Sequence, residues 1–223
     1  MKPTYGVSSH YLGNRGKEYF AKQNQGAQKG KIEARKFLHF VKYTDRLLDF
    51  GCGNGSLLLS LPCGVRIGVE VNPHAREYCL SQGLEVYPTL DVISANSVDI
   101  VISNHALEHV PNPLLALQQM FRCLRPGGQL VLCLPFDDWR TQKAYRSKDI
   151  NHHLYTWSPQ LIGNLLSEVD FRVERCWVYT HAWPLHWKWL DHHLPVRIFD
   201  LICGETAWRH NRRQVLAKAV KPE

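Results

Sequence analysis

An α/β fold, with a mostly parallel sheet covered by helices on both faces, is predicted by three observations. Short apolar or β-branched runs alternate with helical patterns along the chain, as βαβ units require. The first such run, Arg46–Phe50 (RLLDF), leads straight into a glycine-rich turn. The chain has 223 residues, 44% apolar and 21% charged, which suits one globular domain and excludes wholesale disorder. A chain of this length buries roughly 70% of its unfolded surface, so it needs no disulfide or metal staple.

Taken in order, residues 1–13 read as irregular. Residues 14–24 and 27–42 carry helical spacing, with Ile32, Phe37, Leu38 and Val41 on one face and Gly26 and Gly30 as punctuation. Arg46–Phe50 is the first strand and Ser56–Leu61 the helix after it. Val65–Val71 is the second strand, ending at Asn72-Pro73, where Pro73 suits the first turn of a helix over 74–82. Glu85–Tyr87 and Val98–Ser103 are strands three and four. Pro113–Leu124 is a helix with Leu114, Leu117, Met120, Phe121 and Leu124 on one face. Pro126-Gly127-Gly128 is a turn before the fifth strand, Gln129–Leu134. Ser158 caps a helix over 159–168, Phe171–Tyr179 is the sixth strand, and Gln214–Val220 the seventh. Residues 181–212, rich in Trp and His, interrupt the last two strands and read as an inserted lid.

The net charge is +7, and all of the excess lies in residues 1–46, where ten Lys/Arg face three acids. Such a stripe suits nucleic acid, anionic lipid or an acidic substrate, or simply a solvated helix face. Seven scattered cysteines without a CxxC pair read as reduced thiols, which together with the absence of an apolar leader predicts a cytoplasmic protein. No run of 18 apolar residues predicts a transmembrane helix. The expected organisation is one domain over 1–223. It comprises a basic helical cap at 1–44, a binding core at 45–180, the lid at 181–212, and the last strand and tail at 213–223.

The strongest motif is Asp49-Phe50-Gly51-Cys52-Gly53-Asn54-Gly55, directly after a strand and opening a helix. Alternate glycines let the backbone turn sharply and approach a ligand closely. A dinucleotide loop would read GxGxxG, with glycine where Ser56 stands, and a phosphate loop would need Lys-Ser/Thr. The loop therefore favours a ligand without a pyrophosphate. Glu70, at the end of strand two, can accept both hydroxyls of a ribose.

On these residues the sequence resembles the class I S-adenosylmethionine (SAM)-dependent methyltransferases over about residues 45–180. LLDFGCGNG resembles the first family motif, GVEVNP the ribose-binding strand end, SNHALEHVPNP the fourth-strand motif and LRPGGQLVLCLP the fifth strand. The resemblance implies a Rossmann-like seven-stranded sheet with an antiparallel last hairpin. It also implies SAM, with S-adenosylhomocysteine as product, across the carboxyl ends of strands one to four. Residue by residue, it places Gly51, Gly53 and Gly55, with Cys52 between them, beside the methionine and ribose. It puts Asp49 under the loop, Glu70 on the ribose hydroxyls, and Val71 and Asn72 beside the adenine. Asn104 falls where a backbone carbonyl meets the methionine ammonium. The family's frequent acid after strand three is replaced by Tyr87, so Leu90 packing and backbone groups are expected to hold the adenine, with Asp91 displaced.

His105-Ala106-Leu107-Glu108-His109 also matches an HxxEH zinc pattern. The prolines at 111 and 113 break the helix that such a site needs, so no metal ligands are assigned. Methyl transfer to a hydroxyl benefits from a general base, and His109 and His153 are the candidates. The segment Asn104–Leu107 is not the Asn/Asp-Pro-Pro-aromatic tetrad of amine-methylating relatives. The aromatic insertion suits sugar faces, acyl or prenyl chains, or a membrane interface. The leading expectation is methyl transfer to a small molecule, such as a sugar, a lipid-linked or another hydroxylated metabolite. The rivals are an RNA methyltransferase using the basic N-terminal segment and a catalytically silent SAM-binding protein. Peripheral membrane contact fits the same insertion.

Overall fold

The computed structural model describes residues 3–23, 27–136, 143–147, 149 and 151–223. Five strands run parallel: β1 (Arg46–Phe50), β2 (Val65–Val69), β3 (Glu85–Tyr87), β4 (Val98–Asn104) and β5 (Leu124–Phe136). β6 (Arg172–Tyr179) and β7 (Arg213–Val220) complete a seven-stranded sheet of order β3-β2-β1-β4-β5-β7-β6. β7 lies antiparallel to both β5 and β6. The Rossmann-like sheet with its reversed last hairpin is therefore present.

Alternation along the strands builds two cores. Leu48 and Phe50 join one face with Ile67, Val69 and Val101, covered by α5 (Pro113–Cys123) and α6 (Pro159–Glu168). Leu47, Ile100 and Ile102 join the other, covered by α3 (Ser56–Leu59) and α4 (Pro73–Ser81). Asn72, Asn112 and Ser158 cap α4, α5 and α6 by accepting from His74, Leu115 and Leu161 amides.

Several boundaries differ from expectation. β5 begins at Leu124 rather than Gln129, because the Pro126–Gly128 turn sits inside the strand as a bulge. Val98 pairs with Leu124, but Ile100 pairs with Gln129. β2 stops at Val69, where Glu70 turns to face the loop after β1.

The N-terminal helices are α1 (Gly13–Gln23) and α2 (Ala27–Ala34). The helix expected over 27–42 ends eight residues early. Tighter bonds follow it, from Arg35, Lys36 and Phe37 amides to the carbonyls three residues back. They turn Phe37 and Lys36 inward, and both are buried. Gly30 does not punctuate a helix but lies inside α2, where a Cβ would come within 2.3 Å of the Ser56 backbone. Helix α2 is thus packed flush on the start of α3.

Segment 181–212, to which the sequence assigned no elements, holds α7 (Trp187–His193) and α8 (Val196–Arg209). It seats on α2 through a small core of Ile32, Phe199 and Cys203, flanked by Trp183, Trp187 and Leu190. Arg35 ties it down, at 2.5 Å from Asp191 and 3.1 Å from Asp200. Part of the basic N-terminal stripe is therefore internal structure rather than a solvated face. No helix of the described residues is long and apolar enough to cross a membrane.

Candidate active site

A cleft of about 860 Å³ opens at the carboxyl ends of β1, β2 and β4, beneath α2 and segment 181–212. Its first wall is the loop after β1. The Gly51 and Cys52 amides donate to the Val69 carbonyl at 2.8 and 3.2 Å, which fastens the loop to β2. Gly51 and Gly55 sit at φ +76° and +73°, a region that disfavours side chains. A Cβ on Gly51 would fall 2.3 Å from the Ala106 Cβ.

Glu70 closes the loop from the other side. Its Oε2 accepts from the Gly53 amide at 2.9 Å and its Oε1 from the Asn72 amide at 2.8 Å. Burial pushes its pKa up against the pull of these amides and of Arg76, with a net rise. Beneath the loop, burial and the neighbouring Glu70 charge push Asp49 up to about 8. Asp49 is therefore mostly a neutral carboxyl at pH 7.

Of the residues assigned from sequence, Asp49, Gly51, Cys52, Gly53, Glu70, Val71, Asn72, Asn104, His109 and His153 all line this cleft. Two do not fit their expected roles. Leu90 is fully buried in the sheet core and its amide meets the Tyr5 hydroxyl at 3.4 Å, so it cannot pack on a ligand in the cleft. Gly55 faces Leu84 and Cys79, and a Cβ there would meet Leu84 Cδ1 at 2.3 Å; its task is to let the loop pass over α4. The side chain of Asn72 works behind the wall, capping α4 and donating to the Gly16 carbonyl at 2.8 Å. The Asn104 side chain donates to Glu33 at 2.9 Å and accepts from Lys36 at 3.3 Å. The displaced Asp91 anchors the N-terminal segment, accepting from the Thr4 amide and hydroxyl at 3.1 and 2.8 Å.

The opposite wall is made by the turn after β4 and by residues 151–155. Leu107–His109 forms one short 3-10 turn, entered by His105 at φ +54°. The fully buried Glu108 carboxylate lies 3.4 Å from His105 Nδ1 and 3.8 Å from His109 Nε2. Its backbone carbonyl accepts from Leu154 at 2.9 Å, which brings His153 against His109 with ring centres 4.9 Å apart. Tyr11 packs edge-on against His109 from the N-terminal side.

Burial pushes the His109 pKa down, partly opposed by Glu108, which leaves its imidazole neutral at pH 7. Burial also works against charge on His105, but its contacts with Cys133 and Glu108 outweigh that and raise its pKa. The two histidines beside one carboxylate are thus in opposite states. Glu108, His109 and His153 bring ligand atoms within 4.8 Å of one another, a donor set that could hold a divalent cation. Both Glu108 oxygens and His109 Nδ1 lack a hydrogen-bond partner among the described residues.

Sequence reasoning set Glu108 aside as part of a zinc pattern and missed Tyr11, Tyr19 and the Glu33–Lys36 pair, all near or on the cleft wall. Glu33 and Lys36 carried a readable signal: opposite charges at i, i+3 beside the buried Ile32 and Phe37. Lys36 Nζ sits 2.6 Å from Glu33 Oε2. Burial disfavours the Glu33 charge, but the Lys36 ammonium overrides it and holds the carboxyl at about 2.

A sheet of order 3-2-1-4-5-7-6 with a glycine loop and a buried acid at its switch point defines the class of SAM-dependent methyltransferases of Rossmann-like fold. A family model described as a methyltransferase domain matches residues 14–175. The chain belongs to that methyltransferase family, and S-adenosylmethionine is the cofactor of its class. It is 33% identical over 112 residues to a ubiquinone biosynthesis O-methyltransferase of Nitrosococcus oceani, covering 45% of this chain and 46% of that one. A protein of the same description from Ruegeria pomeroyi is 35% identical over 114 residues, covering 45% and 44%. The chain thus spans less than half the length of these relatives. Among solved structures, a SAM-dependent methyltransferase from Archaeoglobus fulgidus superposes with a TM-score of 0.63 at 18% identity, covering 91% of this chain and 99% of that one. The Haemonchus contortus phosphoethanolamine N-methyltransferase 2, solved with S-adenosyl-L-methionine, gives 0.63 at 14%, covering 92% and 60%. These likenesses show the fold.

Proposed function

We propose that the protein transfers the methyl group of SAM to a hydroxyl of a small-molecule acceptor. Residues 45–180 bind the donor, while 1–44 and 181–212 enclose the acceptor side. The observation that carries this reading is a single cleft with two unlike walls. On one side is a carboxylate clamped by two backbone amides. On the other is a neutral imidazole, His109, beside a second, His153.

The donor wall fits an adenosyl group. Glu70 spends one lone pair per oxygen on the protein and keeps the others for ribose hydroxyls. The bare Cα of Gly53, with nothing within 4 Å of the place of its missing Cβ, leaves room for a close approach. When bound, SAM supplies a methyl group already activated on a sulfonium. The chain's task is alignment and exclusion of water, worth roughly 7–11 kcal/mol in well-oriented reactions. His109 takes the proton of the acceptor hydroxyl at a ring nitrogen, and Glu108 beneath it stabilises the imidazolium that results. The name of the Nitrosococcus and Ruegeria relatives, ubiquinone biosynthesis O-methyltransferase, supports an oxygen acceptor. The inward-facing Arg35 and Lys36 weaken the alternative of an RNA-binding arm.

Calorimetric titration with S-adenosylhomocysteine and with NAD tests the donor half, with binding expected for the first alone. A panel of phenols, sugars and lipid-linked alcohols, assayed with His109→Ala alongside, tests the acceptor half. Failure to bind the nucleoside, or methylation of RNA in preference to all of these, would end the proposal.

A further inference from the structure

We propose that the outer face of segment 181–212 is a docking surface for an anionic lipid bilayer. The segment is 32 residues long, yet it carries six of the seventeen exposed large apolar side chains among the described residues. Three of them line up. On α8, Ile198, Leu201 and Trp208 stand at helical spacing along one outward stripe, with Leu201 and Trp208 exposed by 73% and 76%. Trp189 of α7 is 59% exposed, and Leu185 precedes that helix. An ordinary surface helix turns such residues inward. Here the inward positions are already filled by Phe199 and Cys203 on Ile32, so the outward stripe is a second apolar face with no partner among the described residues.

The charges around the stripe select the occupant. Both aspartates of the segment pair with Arg35, Asp191 largely shielded and Asp200 with its carboxylate 42% exposed. Further out, Lys188, Arg197 and Arg209 are exposed, with Glu205 paired to Arg209 at 2.7 Å. Tryptophan and leucine interleaved with Lys and Arg are the composition of helices that lie in a membrane interface. Lys188 beside Trp189 favours lipid over a protein partner, since protein interfaces deplete lysine. The inner side of the same segment lines the cleft at Ala182 and Trp183. A bilayer on its outer face would therefore lie one layer from the candidate active site. The inference stands apart from the acceptor reading, since it depends on residues that do not line the cleft.

The test is co-sedimentation of the full chain with phosphatidylcholine vesicles and with vesicles that also contain phosphatidylglycerol. S-adenosylhomocysteine affinity is measured on the same samples. The expected result is binding to the anionic vesicles alone, weakened by added salt. A Leu201→Glu/Trp208→Glu variant should reduce it by at least ~10-fold while nucleoside affinity stays unchanged. Equal sedimentation of variant and parent would overturn the proposal. So would a dimer in solution that the variant abolishes, which assigns the face to a second copy. A chain that binds lipid but no nucleoside would leave this inference standing and sink the reading of the cleft.

Discussion

The two walls of the cleft are built by opposite means. The wall proposed for the donor comes from one continuous stretch, residues 49–72, and is held by main-chain amides: those of Gly51 and Cys52 donate to the Val69 carbonyl, and those of Gly53 and Asn72 to the Glu70 carboxylate. The wall proposed for the acceptor gathers side chains from residues 11, 108–109 and 153 and rests on contacts between rings and one buried carboxylate. Local backbone geometry constrains the first wall, so its residue types are nearly dictated. Tertiary packing alone assembles the second, so its chemistry is free to vary on the same frame.

If that contrast holds, the largest effect belongs to the donor wall. Glu70→Ala releases two buried amides and a ligand carboxylate together. S-adenosylhomocysteine affinity is expected to fall by roughly 1,000-fold by calorimetry, two charge-assisted bonds being worth about 1.5–3 kcal/mol each. A loss under tenfold would break the comparison. Next comes His109→Ala, expected to lower kcat by about 100-fold with the nucleoside dissociation constant within about twofold of the parent. The pH profile carries the same sign. If His109 is the base, as proposed, the working form is the unprotonated ring, and burial lowers its pKa, so turnover should hold through neutrality and fall only in acid.

A third, smaller effect comes from Asp49. Its carboxyl is neutral below about 8, and a cationic sulfonium and ammonium nearby favour its ionised form. SAM affinity should therefore rise with pH up to about 8, by at most ~10-fold per unit, and then level off. S-adenosylhomocysteine, lacking the sulfonium charge, should show a shallower slope, and Asp49→Asn should flatten both. The mildest change is Tyr155→Phe, which removes the 2.9 Å bond to the Pro111 carbonyl that steadies the stretch carrying His153. One exposed bond is worth about 1 kcal/mol, so kcat should drop by roughly fivefold or less, with donor affinity untouched.

The same contrast explains what the sequence made legible. Arg46–Phe50, the glycine loop and Glu70 could be read because strand period, positive φ and a carboxylate are all local requirements. Strand pairing followed from the alternation of elements. The α2 boundary did not, because the helical spacing of Phe37, Leu38 and Val41 continues past Ala34. Past the helix end Lys36 bonds Asn104, and Asn104 lies 68 residues away. Leu90 was misplaced for a related reason. An apolar residue after the third strand suits either a ligand or the core, and only the position of Tyr5, 85 residues away, decides for the core. Glu108 looked like part of a zinc pattern, and its place between His105 and His109 depends on the positive φ of His105, which no local rule demands.

β7 is wedged between β5 and β6, and among the described residues β6 hydrogen-bonds to no other strand. During synthesis, therefore, residues 172–179 have α6 to pack on but no strand partner while α7 and α8 are made, and they zip up only when 213–220 arrives. The parallel half of the sheet can form earlier, around a cleft whose roof is still open. Assembly is thus ordered in time: the nucleoside berth comes first, and the enclosure that defines what else may enter comes last.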